Sequence, residues 1–272
     1  KEDEPLEKEV AVDPEMLGKV FENLLEVKDR KSKGTYYTPR EIVHYMCQES
    51  LSNYLTTELE GLPAEASAQA GKVSKEDIDT LIKYGETVVE HDSRVVNEGR
   101  ETETYSFKLP ESIRTHAKLL DEKLASIRVC DPAVGSGAFP VGMMNEVVRT
   151  RNALTNYIKG KNERSIYGFK RHAIQNCLYG VDIDLGAVEI AKLRLWLSLI
   201  VDEEDIKQIK PLPNLDYKIV QGNSLLGVEK NLFNMDQFNK LEELKPLFFN
   251  ETNARKKQAY KDQIDRIIGQ IT

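Results

Sequence analysis

The chain has 272 residues, 40% of them hydrophobic and 31% charged, enough to bury one sizeable α/β core together with a smaller helical region. A net charge of −7 weighs against strong non-specific binding to nucleic acid, because such binding rests on neutralising phosphates. No stretch approaches a membrane span, no signal peptide is visible, and Cys47, Cys130 and Cys177 are too few and too far apart for a disulfide framework or a paired-cysteine metal site.

The chain opens on Lys1, not Met, which suggests a fragment or a processed chain. From Pro14 to Glu26 the apolar residues Leu17, Val20, Phe21, Leu24 and Leu25 recur every three or four positions, one face of an amphipathic helix. Lys28, Arg30, Lys31 and Lys33 then read as a solvated basic loop. Thr38-Pro39-Arg40-Glu41 has the pattern of a capping box opening a helix that runs to about Leu59. Residues 60–125 are polar and expected to be helical, with breaks at Leu62-Pro63 and Leu109-Pro110. The three cysteines are read as buried thiols in a reducing cytoplasm. His44, His91, His116 and His172 lack the i, i+4 pairing of metal helices and are read as structural or surface residues.

The pattern changes at Ser126. Ile127 to Cys130, Cys177 to Val181 and Tyr217 to Val220 read as short strands, and Val141 to Tyr157 and Ala187 to Val201 as the helices after the first two. A further helical insertion is expected around Asn162 to Asn176. Strands alternating with helices predict a parallel sheet with right-handed crossovers, whose ligands bind at the carboxyl ends of the strands. Residues 230–272 return to a charged helical pattern. Trp196, within Leu193-Arg194-Leu195-Trp196-Leu197, is expected to be core.

The chemistry concentrates where the strands end. In Cys130-Asp131-Pro132-Ala133-Val134-Gly135-Ser136-Gly137-Ala138-Phe139, two glycines let the backbone approach a ligand. Pro140 stands where a dinucleotide fingerprint has its third glycine, and no Lys-Ser or Lys-Thr follows to hold a triphosphate. Asp131 would repel pyrophosphate and suits a ligand carrying an ammonium or sulfonium charge. Asp182, in Tyr179-Gly180-Val181-Asp182-Ile183-Asp184, stands where a carboxylate can accept both hydrogen bonds of a ribose diol. Asn223, in Gln221-Gly222-Asn223-Ser224-Leu225, could hydrogen-bond an adenine edge.

Taken with Gly34-Thr35-Tyr36-Tyr37-Thr38-Pro39, these motifs resemble the amino-terminal motifs of N6-adenine DNA methyltransferases, above all those of type IIG restriction-modification systems and related phage-defence methylases. The resemblance covers roughly residues 14–229. It implies the first three strands of a Rossmann-like class I S-adenosylmethionine-dependent methyltransferase sheet, with a helical amino-terminal region. The domains it implies are a helical region over residues 1–125, a cofactor-binding α/β domain over residues 126–229 and a helical connector over residues 230–272. It further implies that Tyr36, Tyr37 and Thr38 close over the methionine part of the cofactor. Asp131, Ala133, Gly135 and Gly137 would surround the methionine and ribose, Asp182 would hold the ribose, Ile183 would lie beside the adenine ring, and Asn223 would contact the adenine amino group.

The family holds its target base with an Asn/Asp-Pro-Pro-Tyr/Phe motif, and no such tetrapeptide occurs in this chain. The resemblance therefore implies a cofactor-binding part with no catalytic residue and no metal site, binding S-adenosylmethionine weakly or not at all and inactive alone. The implied activity of the longer chain is cytoplasmic, adenine-specific DNA methylation. Its implied partners are double-stranded DNA and the remaining methylase, target-recognition and nuclease regions of the same polypeptide. Two other readings stay open on the sequence: a non-catalytic nucleoside-binding or scaffolding module of a defence complex, and a methyltransferase with RNA, protein or a small molecule as acceptor.

Overall fold

A computed structural model describes residues 16–20, 38–61, 73–100, 102, 107–158, 164–201, 213–231, 234–251 and 253–271. It is mostly helical, with a small three-stranded parallel sheet. Two compact units, Lys1–Gly222 and Asn223–Thr272, divide the chain.

In the first unit, α1 (Arg40–Glu60) buries Val43, Cys47, Leu51 and Leu55, a four-residue spacing that lines one face. Its start corrects the expected capping box. Pro39 is the N-cap, its carbonyl accepting the Ile42 and Val43 amides at 3.0 and 3.1 Å, and no side chain caps the helix. With ψ at 145° Pro39 is still extended, so Thr38 falls one position outside the place from which a cap hydroxyl reaches the first turn.

Helix α2 (Lys75–Asn97) does have a side-chain cap, Ser74 Oγ accepting the Asp77 amide at 3.1 Å. The expected break at Leu109-Pro110 is present, with Pro110 as N-cap of the short α3 (Glu111–Thr115), followed by α4 (Ala117–Ser126). Leu62-Pro63 and the basic residues Lys28, Arg30, Lys31 and Lys33 lie outside the described residues. Of the helix expected from Pro14 to Glu26, residues 16–20 are described, and they are helical.

The α/β part follows as β1 (Val129–Asp131), α5 (Ala138–Leu154), α6 (Ile166–His172), β2 (Leu178–Asp182), α7 (Leu185–Ile200) and β3 (Ile219–Gln221). Strand order is β1-β2-β3, with Asp131 paired to Gly180 and Asp182 to Gln221. Each strand starts one or two residues later than its apolar run. Ile127 ends α4, Cys177 closes a π-helical turn over Ala173–Cys177, and Tyr217 adopts a left-handed φ of 61° in the turn before β3.

Helix α5 is the centre of the packing. Gly142 lies against Val43 and Cys47 of α1, while Ala153 approaches Gly85 of α2. Cys47 and Cys177 are buried, but Cys130 is exposed, which corrects the reading of three buried thiols. Alternation along the edge strand β1 turns Cys130 away from the face shared by half-buried Val129 and Asp131. Trp196 is partly buried against the core and its indole N–H donates to the Pro213 carbonyl at 2.9 Å.

One ionic cluster ties α4, α5 and the segment before α6 together. Asp121 accepts Arg151 Nε at 2.8 Å and both Nη atoms of Arg164 at 2.8 Å. Both guanidiniums also lie over the Phe169 ring, at 4.5 and 4.9 Å from its centre.

The second unit contains α8 (Met235–Asn250) and α9 (Ala254–Ile271), the two helices of the expected charged segment. Among the described residues no helix is long and apolar enough to cross a membrane.

Candidate functional site

The turn between β1 and α5 is held from two sides. Its own backbone closes it, Gly137 N–H donating to the Val134 carbonyl at 2.9 Å, and Val134 N–H reaches across to the Val181 carbonyl of β2 at 2.9 Å. Gly135 and Gly137 have φ of 51° and 85°, the left-handed region that side chains resist. Around Gly135 an added Cβ would meet nothing within 4 Å, so this stretch of backbone faces open space. At Gly137 the same atom would lie 3.0 Å from Ala191 of α7, so the turn and that helix are in close contact.

Asp131 and Asp182 stand at the carboxyl ends of neighbouring strands. Asp131 Oδ1 accepts the Ala133 amide at 3.0 Å. Burial pushes its carboxyl above the ordinary value, the Ala133 amide pulls it down, and the charge of Asp182 pushes it up again. Asp182 accepts the Gly135 amide on Oδ2 at 2.8 Å and the Asp184 amide on Oδ1 at 2.9 Å. Each oxygen retains a second lone pair for a ligand hydroxyl. Ile183 is 63% exposed beside it.

Five of the sequence-predicted residues, Asp131, Ala133, Gly135, Gly137 and Asp182, are thus brought together by β1, β2 and the glycine turn, and Ile183 extends the rim. Tyr36 and Tyr37 lie outside the described residues. Thr38 instead lines a cavity of about 690 Å³ that follows α5 and is shared with Val43, Ala138, Glu146 and Arg194; neither Asp131 nor Asp182 borders it. Asn223 begins the second unit, where its side-chain oxygen accepts the Leu225 amide at 3.0 Å. Sequence reading missed Ser136 and Arg194. Ser136 is 3% and Arg194 2% exposed, and Nη1 of Arg194 donates to the Ser136 carbonyl at 2.8 Å. The signal for Arg194 was a guanidinium inside an apolar helical run, which must find acceptors when buried.

The donor set fits S-adenosylmethionine on two observations. Burial and the neighbouring charge of Asp182 both push the Asp131 carboxyl up, a strain that a sulfonium or ammonium charge would relieve, whereas a phosphate would add a third negative charge. The open backbone at Gly135 gives a nucleoside room to approach.

A parallel α/β sheet with an acid-lined glycine turn at its carboxyl end defines the class of this chain. Residues 176–270 match the family model described as Eco57I restriction-modification methylase. A protein of Methanocaldococcus jannaschii, named as a type II restriction enzyme and methyltransferase, is 35% identical over 231 residues, which cover 82% of this chain. The chain belongs to the Eco57I restriction-modification methylase family. The matched region is 17% of the length of that relative. No solved structure matches the chain.

Proposed function

We propose that this chain is the cofactor-binding part of an adenine-specific DNA methyltransferase of a restriction-modification system, with S-adenosylmethionine as methyl donor and a Rossmann-like methyltransferase sheet at its centre. The observation that carries this reading is the pair Asp131 and Asp182, two carboxylates at neighbouring strand tips with no described cation bonded to either. Asp131 would face the charged methionine end, Asp182 would share its remaining lone pairs with the ribose hydroxyls, Gly135 and Gly137 would give their backbone room, and Ile183 would cover one face of the base. Bound there, S-adenosylmethionine supplies an electrophilic methyl group on a sulfonium. Adenine as acceptor is supported by the Thr38-Pro39 segment standing ahead of the glycine turn, and double-stranded DNA as partner by the restriction enzyme in the name of the Methanocaldococcus jannaschii relative.

Because the chain contains no Asn/Asp-Pro-Pro-Tyr/Phe tetrapeptide, this reading gives it cofactor binding and no methyl transfer of its own. Amide chemical-shift titration is the test, since it detects millimolar affinity. S-adenosylmethionine should move the amides of Gly135, Gly137 and Ile183, and NAD or ATP should not. Shifts with ATP or NAD and none with the methyl donor would overturn the reading, and radiolabel transfer to DNA by this chain alone would overturn the second half of it.

A further inference from the structure

Arg194 is a buried cation whose acceptors belong to the glycine turn. Its Nη1 donates to the Ser136 carbonyl at 2.8 Å and to Ser136 Oγ at 3.1 Å. Ser136 is the residue between the two left-handed glycines, so these bonds grip the turn at its middle. One helical turn earlier on α7, Ala191 closes against Gly137. A third segment meets the same guanidinium. Gly18, in the helical stretch at residues 16–20, is packed so close that a Cβ there would collide with Arg194 and lie 3.1 Å from Ser136 Oγ. Residues far apart in the chain, at positions 18, 136 and 194, therefore converge on one side chain. A charged hydrogen-bond donor with less than a twentieth of its surface in water loses its geometry only at a high cost, which makes it a stiff connection.

We propose that Arg194 is a positioning residue for cofactor binding: it fixes Ser136 so that the Gly135–Gly137 turn keeps its open shape, and through Gly18 it couples that shape to the seating of the segment at residues 16–20. The grip on the turn and its coupling to Gly18 concern the turn itself; the effect on cofactor binding rests on the reading of that turn as the cofactor site. Asp131 and Asp182 supply charge and acceptors to the ligand, while Arg194 touches no proposed ligand atom and acts through the backbone. Gly18 has no side chain to offer and acts only by leaving the guanidinium its place.

The test combines amide hydrogen exchange without ligand and shift titration with S-adenosylmethionine, on the 272-residue chain and four variants: Arg194→Ala, Arg194→Lys, Gly18→Ala and the double variant of Gly18→Ala with Arg194→Ala. Arg194→Ala should speed exchange at Ser136, Gly137 and Ala138 by about tenfold, with the rest of α5 and α7 unchanged. Arg194→Lys, which keeps the charge but not the planar fork, should fall between, and Gly18→Ala should shift the same amides in the same direction. Because both act on one contact, Gly18→Ala combined with Arg194→Ala should add nothing to Arg194→Ala alone. Uniform acceleration along both helices, unchanged turn amides, or additive effects would each overturn the coupling.

In the titration, Arg194→Ala should weaken S-adenosylmethionine binding by about tenfold. Wild-type affinity in a variant with fast turn exchange would overturn the positioning role. If the unaltered chain shows no response to the methyl donor, the cofactor reading falls and takes the positioning role with it, while the exchange data still decide whether Arg194 is the connection described. Should Arg194→Ala fail to fold, Arg194→Lys and Gly18→Ala carry the same comparison.

Discussion

Asp121 and the pair Asp131–Asp182 are acid sites of one folded unit, yet the chain compensates them in opposite ways. Burial pushes the Asp121 carboxyl up, but hydrogen bonds from Arg164 and Arg151 outweigh it and hold the group below the ordinary carboxylate value. At Asp131 burial is relieved only by the Ala133 amide, and the neighbouring acid makes matters worse, so the group sits above that value. Asp121 is 8% exposed and buttresses three segments; Asp131 and Asp182 are half-buried and face a backbone stretch open to a ligand. The lesson is that a structural acid carries its counter-charge within the fold, whereas the two acids of the proposed cofactor site leave that place to be filled from outside.

The contrast can be broken most strongly at its compensated end. Asp121→Ala strands two guanidiniums, one of them 9% exposed at the side chain, and should cost about 3–5 kcal/mol in a denaturant unfolding experiment. Next comes the turn that presents the other acids. Gly137→Ala forces a side chain into a left-handed residue at a φ of 85° and against Ala191, which should cost about 1–2 kcal/mol of unfolding free energy and lower ligand affinity with it.

Asp182→Asn replaces one acceptor by an amide donor facing a backbone N–H, and should weaken S-adenosylmethionine binding about tenfold in the shift titration, with a smaller change in stability. Affinity equal to wild type would remove Asp182 from the site.

The smallest effect sharpens the comparison through pH. Because the folded carboxyl of Asp131 lies above its unfolded value, the native state takes up this proton first, and its contribution to stability grows as pH falls from neutral towards the ordinary carboxylate range near about 4. Asp121 has the opposite sign: its contribution is present above the unfolded value and is lost as pH falls through its lowered folded one. Asp131→Asn should therefore flatten the rise and slightly stabilise the unliganded chain at neutral pH, read from unfolding midpoints across that range.

Much of this arrangement was legible in the amino-acid order. The strands end in acids and glycines, and the apolar runs before them located all three to within two residues, because the part of a parallel strand that packs against neighbouring elements is apolar and its tip need not be. The misses have local causes. Thr38 looked like a cap by composition, but the ψ of Pro39 shifts the helix start by one residue. Cys130 looked buried within an apolar run, but its strand is at the sheet edge. Polar partners distant in the chain were invisible for a different reason: His44 and Glu146 bond at 2.7 Å across 102 residues, and Arg194 meets Ser136 across 58, separations at which periodicity carries no information.

The indole described against the Pro213 carbonyl has a practical consequence. It is the sole tryptophan of the chain, and it stands on α7 two residues beyond Arg194. Its fluorescence is therefore an inherent optical gauge of one helix, with no other indole to dilute the signal. A loosening of α7 that frees the N–H to water should redden the emission without any label being attached.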